Sequence, residues 1–258
     1  MASRQSFWKF TDVLSPHGRG YWARTQRPLH CLVFLLPWLV VFEAGVFWRQ
    51  TVEQRPLPSL VATQAIMRFI ELLGASGLYF PGLLLVAILL GWHLVTKDPW
   101  TLDKPTLAGM LGESLIWAVP LYAFNSFVQQ ARTGGVLDRW IDEVILSIGA
   151  GIYEELLFRL IAITLLSLIL IDVFSLDKNA TMVFIFLASA ALFSAQHHRP
   201  FGNEPFDLVK FLFRTGAGLY LTGIFVYRGF GIAAGCHAVY DVIIVTLSAL
   251  RAADQVGR

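Results

Sequence analysis

Residues 143–171 read EVILSIGAGIYEELLFRLIAITLLSLILI, an apolar run that is longer than the helix of about 20 residues that crosses a bilayer. Three charged residues, Glu154, Glu155 and Arg159, interrupt this run. One ionised side chain near the middle of a membrane costs roughly 2.5–3.5 kcal/mol on insertion scales. Charged residues at this depth are commonly functional. The stretch therefore predicts a membrane-spanning helix that carries a functional site.

The composition of the whole chain agrees with a membrane location. Of its 258 residues, 56% are hydrophobic and only 15% are charged, and the mean hydropathy is +0.61. A soluble domain usually carries about 25% charged residues. The net charge of +2 is small and scattered, so nucleic acid is not expected as a partner. The composition predicts an integral membrane protein whose surroundings include the lipid bilayer.

Seven apolar stretches are long enough to be candidate spans. They are residues 31–48, 76–95, 106–128, 143–171, 180–197, 206–227 and 230–250. Between the first two, Ile66, Ile70 and Leu73 recur at helical spacing, which predicts an amphipathic helix at the membrane interface, with a plain connecting helix as the alternative. The predicted fold is all-α, a polytopic membrane bundle of about seven transmembrane helices with one interfacial amphipathic helix.

The N-terminal segment, residues 1–30, is basic. It contains a single acid, Asp12. Its five cations are Arg4, Lys9, Arg19, Arg24 and Arg27. The basic region is too long for a signal peptide, and the following apolar run lacks a clean small-residue cleavage site. We therefore expect a retained first helix with a cytoplasmic N-terminus. The remainder, residues 31–250, is interpreted as a single membrane domain, and the loop style and composition suggest a bacterial cytoplasmic membrane.

The first polar cluster, Glu154, Glu155 and Arg159, combines a possible ion pair with an acid that has no partner at helical spacing. Glu155 and Arg159 are four residues apart, so they share a helix face and can form an ion pair. Glu154 is rotated by about 100° from Glu155 on the helix and has no such partner. An acid removed from water without a cation suits general acid–base catalysis. A structural ion pair with a Glu154 that reaches toward the interface is the alternative.

The second cluster lies at the end of the fifth apolar stretch, just before Pro200. Phe193 and His197 share a helix face, which makes His197 a candidate functional residue. His198 is expected to point elsewhere, toward the interface and Arg199, in a supporting role.

The third cluster is His237 with Asp241, again four residues apart. Asp241 can fix the tautomer of the imidazole or share its proton. Gly231 and Gly235 form a GxxxG step that permits close approach of another helix. Four other polar residues have no partner at helical spacing and are interpreted as structural or interfacial: Glu43, Glu113, Asn125 and Arg214.

The three clusters together resemble the CAAX protease and bacteriocin-processing family, intramembrane endopeptidases that include the Ras-converting CAAX protease. The family pattern is Glu-Glu-x-x-x-Arg, then Phe-x-x-x-His, then His-x-x-x-Asn, each on its own membrane helix. The chain matches this order over about residues 142–245, with Asp241 where Asn is common.

The resemblance implies roles for the matching residues. Glu154 and His197 would position and activate a water, His237 and residue 241 would stabilise the oxyanion, and Glu155 and Arg159 would support that geometry. An ionised Asp241 would repel an oxyanion. Asp241 is therefore either protonated or holds His237 protonated as the hydrogen-bond donor, and we favour the second role.

The expected function is hydrolysis of a peptide bond near a membrane-associated or C-terminal segment of a protein or peptide substrate. A catalytically inactive membrane scaffold and a proton-coupled transporter are the alternatives, since similar residues also form proton relays. No cofactor is expected, because the sequence has no HExxH motif. If zinc were used, its ligands would be Glu154, His197 and His237.

Overall fold

The computed structural model describes residues 20–72, 74, 77, 79–128 and 139–256. Within these ranges the chain forms nine helices and no strand. They are α1 (Tyr21–Gln26), α2 (Pro28–Val52), α3 (Val61–Leu72), α4 (Phe80–Thr96), α5 (Lys104–Val128), α6 (Trp140–Val173), α7 (Lys178–Ala195), α8 (Leu208–Arg228) and α9 (Phe230–Val256). The last turn of α2 is π-helical, as are two segments of α6, Leu156–Ala162 and Leu168–Val173.

Six of these helices, α2 and α5 to α9, are long and apolar enough to cross a membrane. The remaining apolar helix, α4, is shorter, at 17 residues. These seven helices occupy the seven predicted apolar stretches. The prediction of an all-α polytopic membrane bundle is confirmed.

Helix α3 occupies the position of the predicted amphipathic helix. Its apolar face, which includes Ile66 and Ile70, is buried against α4 and α6. Leu73, the third residue of the predicted stripe, lies outside the described residues. The apolar face thus packs on the bundle, and the placement of α3 at a membrane interface stays a prediction.

The ends of the helices follow from local sequence. The side chain of Asp177 accepts a hydrogen bond from the backbone N–H of Ala180 at 3.1 Å and begins α7. Asp207 begins α8 in the same way, through the N–H of Lys210 at 2.9 Å. A single residue, Gly229, separates α8 from α9, and its positive φ of 90° suits glycine. The chain therefore reverses sharply and inserts α9 into the bundle.

Close packing around α9 places the polar clusters side by side. An ideal Cβ at Gly151 would lie 2.6 Å from the Cα of Ala238, so only glycine allows α6 and α9 to approach this closely. Gly231 and Gly235 face α2 and α5, against Cys31, Met110, Ser114 and Phe34. The GxxxG step thus lies at a close helix contact, as predicted.

The end of the basic N-terminal segment is attached to the bundle. Arg24 lies 3.5 Å from the carboxylate of Asp103, and Arg27 lies 3.7 Å from that of Asp98. Helix α1 packs against α2 and α5. Residues 1–19, which hold the other predicted cations and Asp12, lie outside the described residues.

Candidate active site

Glu154 lies between two histidines that come from different helices. Its Oε1 is 3.9 Å from Nε2 of His197, which follows the end of α7. Its Oε2 is 3.9 Å from Nε2 of His237, on α9. The α-helical part of α6 ends at Glu155, directly before a π-helical segment, a local widening that is frequent at functional sites. The fold thus brings one residue of each predicted cluster to a common point.

The orientation of His197 is set by a backbone contact. Its Nδ1 lies 3.0 Å from the carbonyl oxygen of Phe193. A carbonyl can only accept, so Nδ1 carries the hydrogen and Nε2 of the neutral ring is an acceptor. Desolvation lowers the pKa of His197, and the positive charge of Arg214 acts in the same direction. His197 is therefore neutral near pH 7 and turns a lone pair toward Glu154.

Glu155 and Arg159 form the predicted ion pair, with Nη1 of Arg159 at 3.0 Å from Oε1 of Glu155. Both side chains are fully buried. The other end of the guanidinium, Nη2, donates to the carbonyl oxygen of Gly218 at 3.1 Å. The guanidinium also lies 4.3 Å from the centre of the Phe193 ring, within the range of a cation–π contact. Arg159 thus connects α6 to α7 and α8.

A contact that sequence spacing did not reveal joins Glu155 to His237. The Nδ1 of His237 lies 2.8 Å from Oε1 of Glu155, the same oxygen that Arg159 contacts. The other ring nitrogen, Nε2, lies 3.4 Å from Oδ2 of Asp241. A neutral imidazole can donate from one nitrogen only, whereas imidazolium donates from both. A carboxylate thus lies beside each ring nitrogen of His237, and the role of Asp241 stays a prediction.

Of the two residues predicted to support the site, Phe193 lies within it and His198 lies in the loop that follows α7. The Phe193 ring lies 5.6 Å from the His197 ring and 5.7 Å from the His237 ring, so it packs between the two histidines. His198 is buried and points inward, where its Nδ1 contacts the carbonyl oxygen of Pro205 at 3.2 Å. It does not reach the interface as expected, because the chain between α7 and α8 folds back over it. These contacts attach the loop to His198, and a supporting role in the site stays a prediction.

The candidate active site opens into a cavity of about 430 Å³. Glu154, His197, His237 and Asp241 line it, whereas Glu155 and Arg159 are buried behind them. Further polar residues line the cavity that we had not assigned to the site: Asn125, Glu143, Glu204, Arg214 and Tyr240. Such a cavity can admit a peptide bond to Glu154.

Three of the polar residues interpreted as unpartnered have partners at other spacings. Arg214 contacts both carboxylate oxygens of Glu204, at 2.8 and 3.2 Å. Glu113 accepts two hydrogen bonds of 2.7 Å from Arg228, and Glu43 accepts one of 2.6 Å from the hydroxyl of Tyr153. Helical spacing could not reveal these pairs, because each joins different parts of the bundle.

The described part of the chain contains no group of three or more His, Cys, Asp or Glu side chains arranged to hold a metal ion. The carboxylate oxygens of Glu154 lie 3.9 Å from each neighbouring imidazole nitrogen. Both nitrogens of His237 already face carboxylates. The expectation that no metal takes part stays a prediction, for which chelation is the test.

The fold and the site define a class, a polytopic membrane protein with a buried glutamate between two histidines. A comparison with family models found a match to part of the chain. The model described as Type II CAAX prenyl endopeptidase Rce1-like matches residues 137–243, which is less than half of the chain. The match supports the resemblance to the CAAX protease and bacteriocin-processing family that the three motifs indicated. Comparisons with curated proteins and with solved structures found no match.

The matched segment includes every residue predicted for the site, from Glu154 to Asp241. It begins before α6 and ends within α9. Helices α1 to α5 lie outside it, and some of them contribute to the cavity walls, as Leu121 and Asn125 do from α5.

Proposed function

We propose that the protein is an intramembrane endopeptidase that hydrolyses a peptide bond near a membrane-associated or C-terminal segment of a protein or peptide substrate. One observation carries the proposal: Glu154 lies 3.9 Å from the Nε2 atoms of both His197 and His237, on the wall of a cavity. This distance is too long for a direct hydrogen bond and suits a water or a reacting group between the side chains.

Activation of the water follows from the two acceptors beside it. A water between Glu154 and His197 can donate one hydrogen to the carboxylate and the other to the unprotonated Nε2 of His197. Its lone pair is then free to attack the carbonyl carbon of the substrate. Glu154 takes the proton as general base, and His197 orients the water.

Stabilisation of the tetrahedral intermediate is assigned to His237. Its Nε2 lies 3.9 Å from Oε2 of Glu154, beside the space where the oxyanion would form. Glu155 and Asp241 hold the ring protonated, and Arg159 fixes Glu155. When the C–N bond breaks, Glu154 returns its proton to the leaving amine. The products are a new carboxylic acid, whose hydroxyl oxygen comes from the water, and a new amine.

The setting of this reaction is also part of the proposal. We infer that the substrate reaches the cavity from the bilayer or from its surface, and that nucleic acid is not a partner. We propose a bacterial cytoplasmic membrane with the N-terminus in the cytoplasm. The reaction as written uses the side chains of the protein and a water, without a cofactor.

The test uses purified protein in proteoliposomes with a library of membrane-anchored peptides, whose products are identified by mass spectrometry. The wild type should release defined fragments, and Glu154→Gln should release none because the amide cannot accept the proton of the water. Glu71→Gln, the same change at an exposed position on α3, is the matched control and should cleave like the wild type. An inactive scaffold or a transporter would give no fragments with any variant.

A further inference from the structure

A second cavity, of about 270 Å³, lies next to the candidate active site and shares lining residues with it. Its walls come from α2, α3, α6, the chain that leads into α3 and the start of α4. Phe42 and Val46 line it from α2, and Leu57 and Met67 line it from the region of α3. The proposed catalytic reaction makes no use of this space.

The two cavities share part of their walls. Ser59, Leu60 and Leu146 line both of them. Tyr153, which lines the second cavity, directly precedes Glu154, which lines the first. The two cavities therefore meet along residues that they share, of which Leu60 and Leu146 are the apolar ones.

The second cavity is lined mainly by apolar side chains, and two of its polar groups already bond to the protein. The hydroxyl of Tyr153 donates to Oε1 of Glu43 at 2.6 Å. The hydroxyl of Thr63 donates to the carbonyl oxygen of Leu60 at 2.8 Å. These two hydroxyls therefore need no hydrogen-bond acceptor from an occupant. An apolar cavity of about 150 Å³ is enough to bind benzene, so this one has room for a large aromatic or branched side chain.

We propose that the second cavity binds one large apolar side chain of the peptide substrate, close to the bond that is cleaved. The inference rests on the proposed protease function and names a feature of its substrate. The peptide backbone lies in the active-site cavity, and the side chain passes between Leu60 and Leu146. The lining residues that the two cavities share favour this occupant over an acyl chain of the bilayer.

The test compares three variants of α2. Val46→Phe narrows the second cavity, and Val46→Ala widens it. Val40→Phe makes the same change on the same helix at an exposed position and is the matched control. Each variant is assayed in proteoliposomes against membrane-anchored peptides that carry Ala, Leu, Phe or Trp at each position flanking the cleaved bond.

At one of these positions the wild type should cleave the peptides with large apolar residues faster than the peptide with Ala. Val46→Phe should lower kcat/KM for the Phe and Trp peptides about tenfold or more and leave the Ala peptide within about twofold, the usual range for misfit in an apolar pocket. Val46→Ala should raise the relative rate for Trp. Val40→Phe should keep the wild-type preferences.

The outcomes separate this inference from the proposed function. Cleavage by the wild type with preferences that neither Val46 variant changes would overturn the inference alone. A loss with Val46→Phe that is equal for all peptides would also overturn it, and would indicate a bilayer lipid in the cavity if the loss disappeared in lipid-free detergent. If the wild type cleaves none of the peptides, the proposed function fails and the inference fails with it.

Discussion

Removal of either member of the Glu155–Arg159 pair should destabilise the protein. Breaking a buried ion pair typically costs about 3–5 kcal/mol, because a charge is left without its partner. In Arg159→Ala the remaining carboxylate keeps the His237 ring at 2.8 Å. In Glu155→Ala both the guanidinium and the imidazole lose their shared oxygen. We expect a loss of about 3–5 kcal/mol for each variant.

The Arg159→Ala variant also loses two contacts outside the ion pair, and each loss lowers its stability. The variant loses a hydrogen bond to the carbonyl oxygen of Gly218, worth roughly 1.5–3 kcal/mol for a charged donor. It also loses the contact with the Phe193 ring, worth about 2 kcal/mol when desolvated. Part of this loss is already counted in the cost of breaking the pair. These losses offset the larger disruption in Glu155→Ala, so the coupling energy between the two residues is more informative than either loss alone.

Thermal unfolding in detergent, followed by tryptophan fluorescence, measures the effect. A change of 1 kcal/mol shifts Tm by about 2–4 °C in a protein of this size, so shifts of roughly 6–20 °C are expected. The double variant gives the coupling energy between the two residues, which should be at least about 1 kcal/mol. Variants as stable as the wild type would show that the pair is absent. A coupling energy close to zero would refute the interaction between Glu155 and Arg159.

Three further predictions concern the chemistry. Glu154→Gln should abolish cleavage while its Tm stays close to that of the wild type; turnover near the wild-type rate would remove Glu154 as the base. Exhaustive chelation should leave activity unchanged, whereas loss that added zinc restores would make His197 and His237 ligands together with Glu154. Asp241→Asn should stay active, but the alkaline limb of its kcat/KM profile should move to lower pH, because a protonated His237 is easier to deprotonate without the neighbouring negative charge. An inactive, correctly folded Asp241→Asn protein would instead assign the base to Asp241.

The membrane spans and one ion pair were predictable because their signals are local in sequence. Hydropathy over about 20 residues located the helices, and four-residue spacing located the pair of Glu155 with Arg159. The contact of Glu155 with His237 joins residues 82 positions apart, and no spacing rule reports such a contact. The same holds for Glu113 with Arg228, which are 115 positions apart. The predicted direction of the His198 side chain was wrong, because the prediction extended the helix pattern into a loop that turns inward.

The close approach of α6 and α9 at Gly151 affects how mutational scans of this protein should be interpreted. Even alanine at position 151 would collide with the backbone of Ala238, so the two helices would separate and Glu154 would move away from His237. Substitution of Gly151 would then reduce activity as much as substitution of Glu154 does, although glycine supplies no reacting group. A scan that records activity alone would count Gly151 among the catalytic positions. A parallel measurement of folded protein would distinguish them, because Gly151→Ala should lower the yield and Glu154→Gln should not.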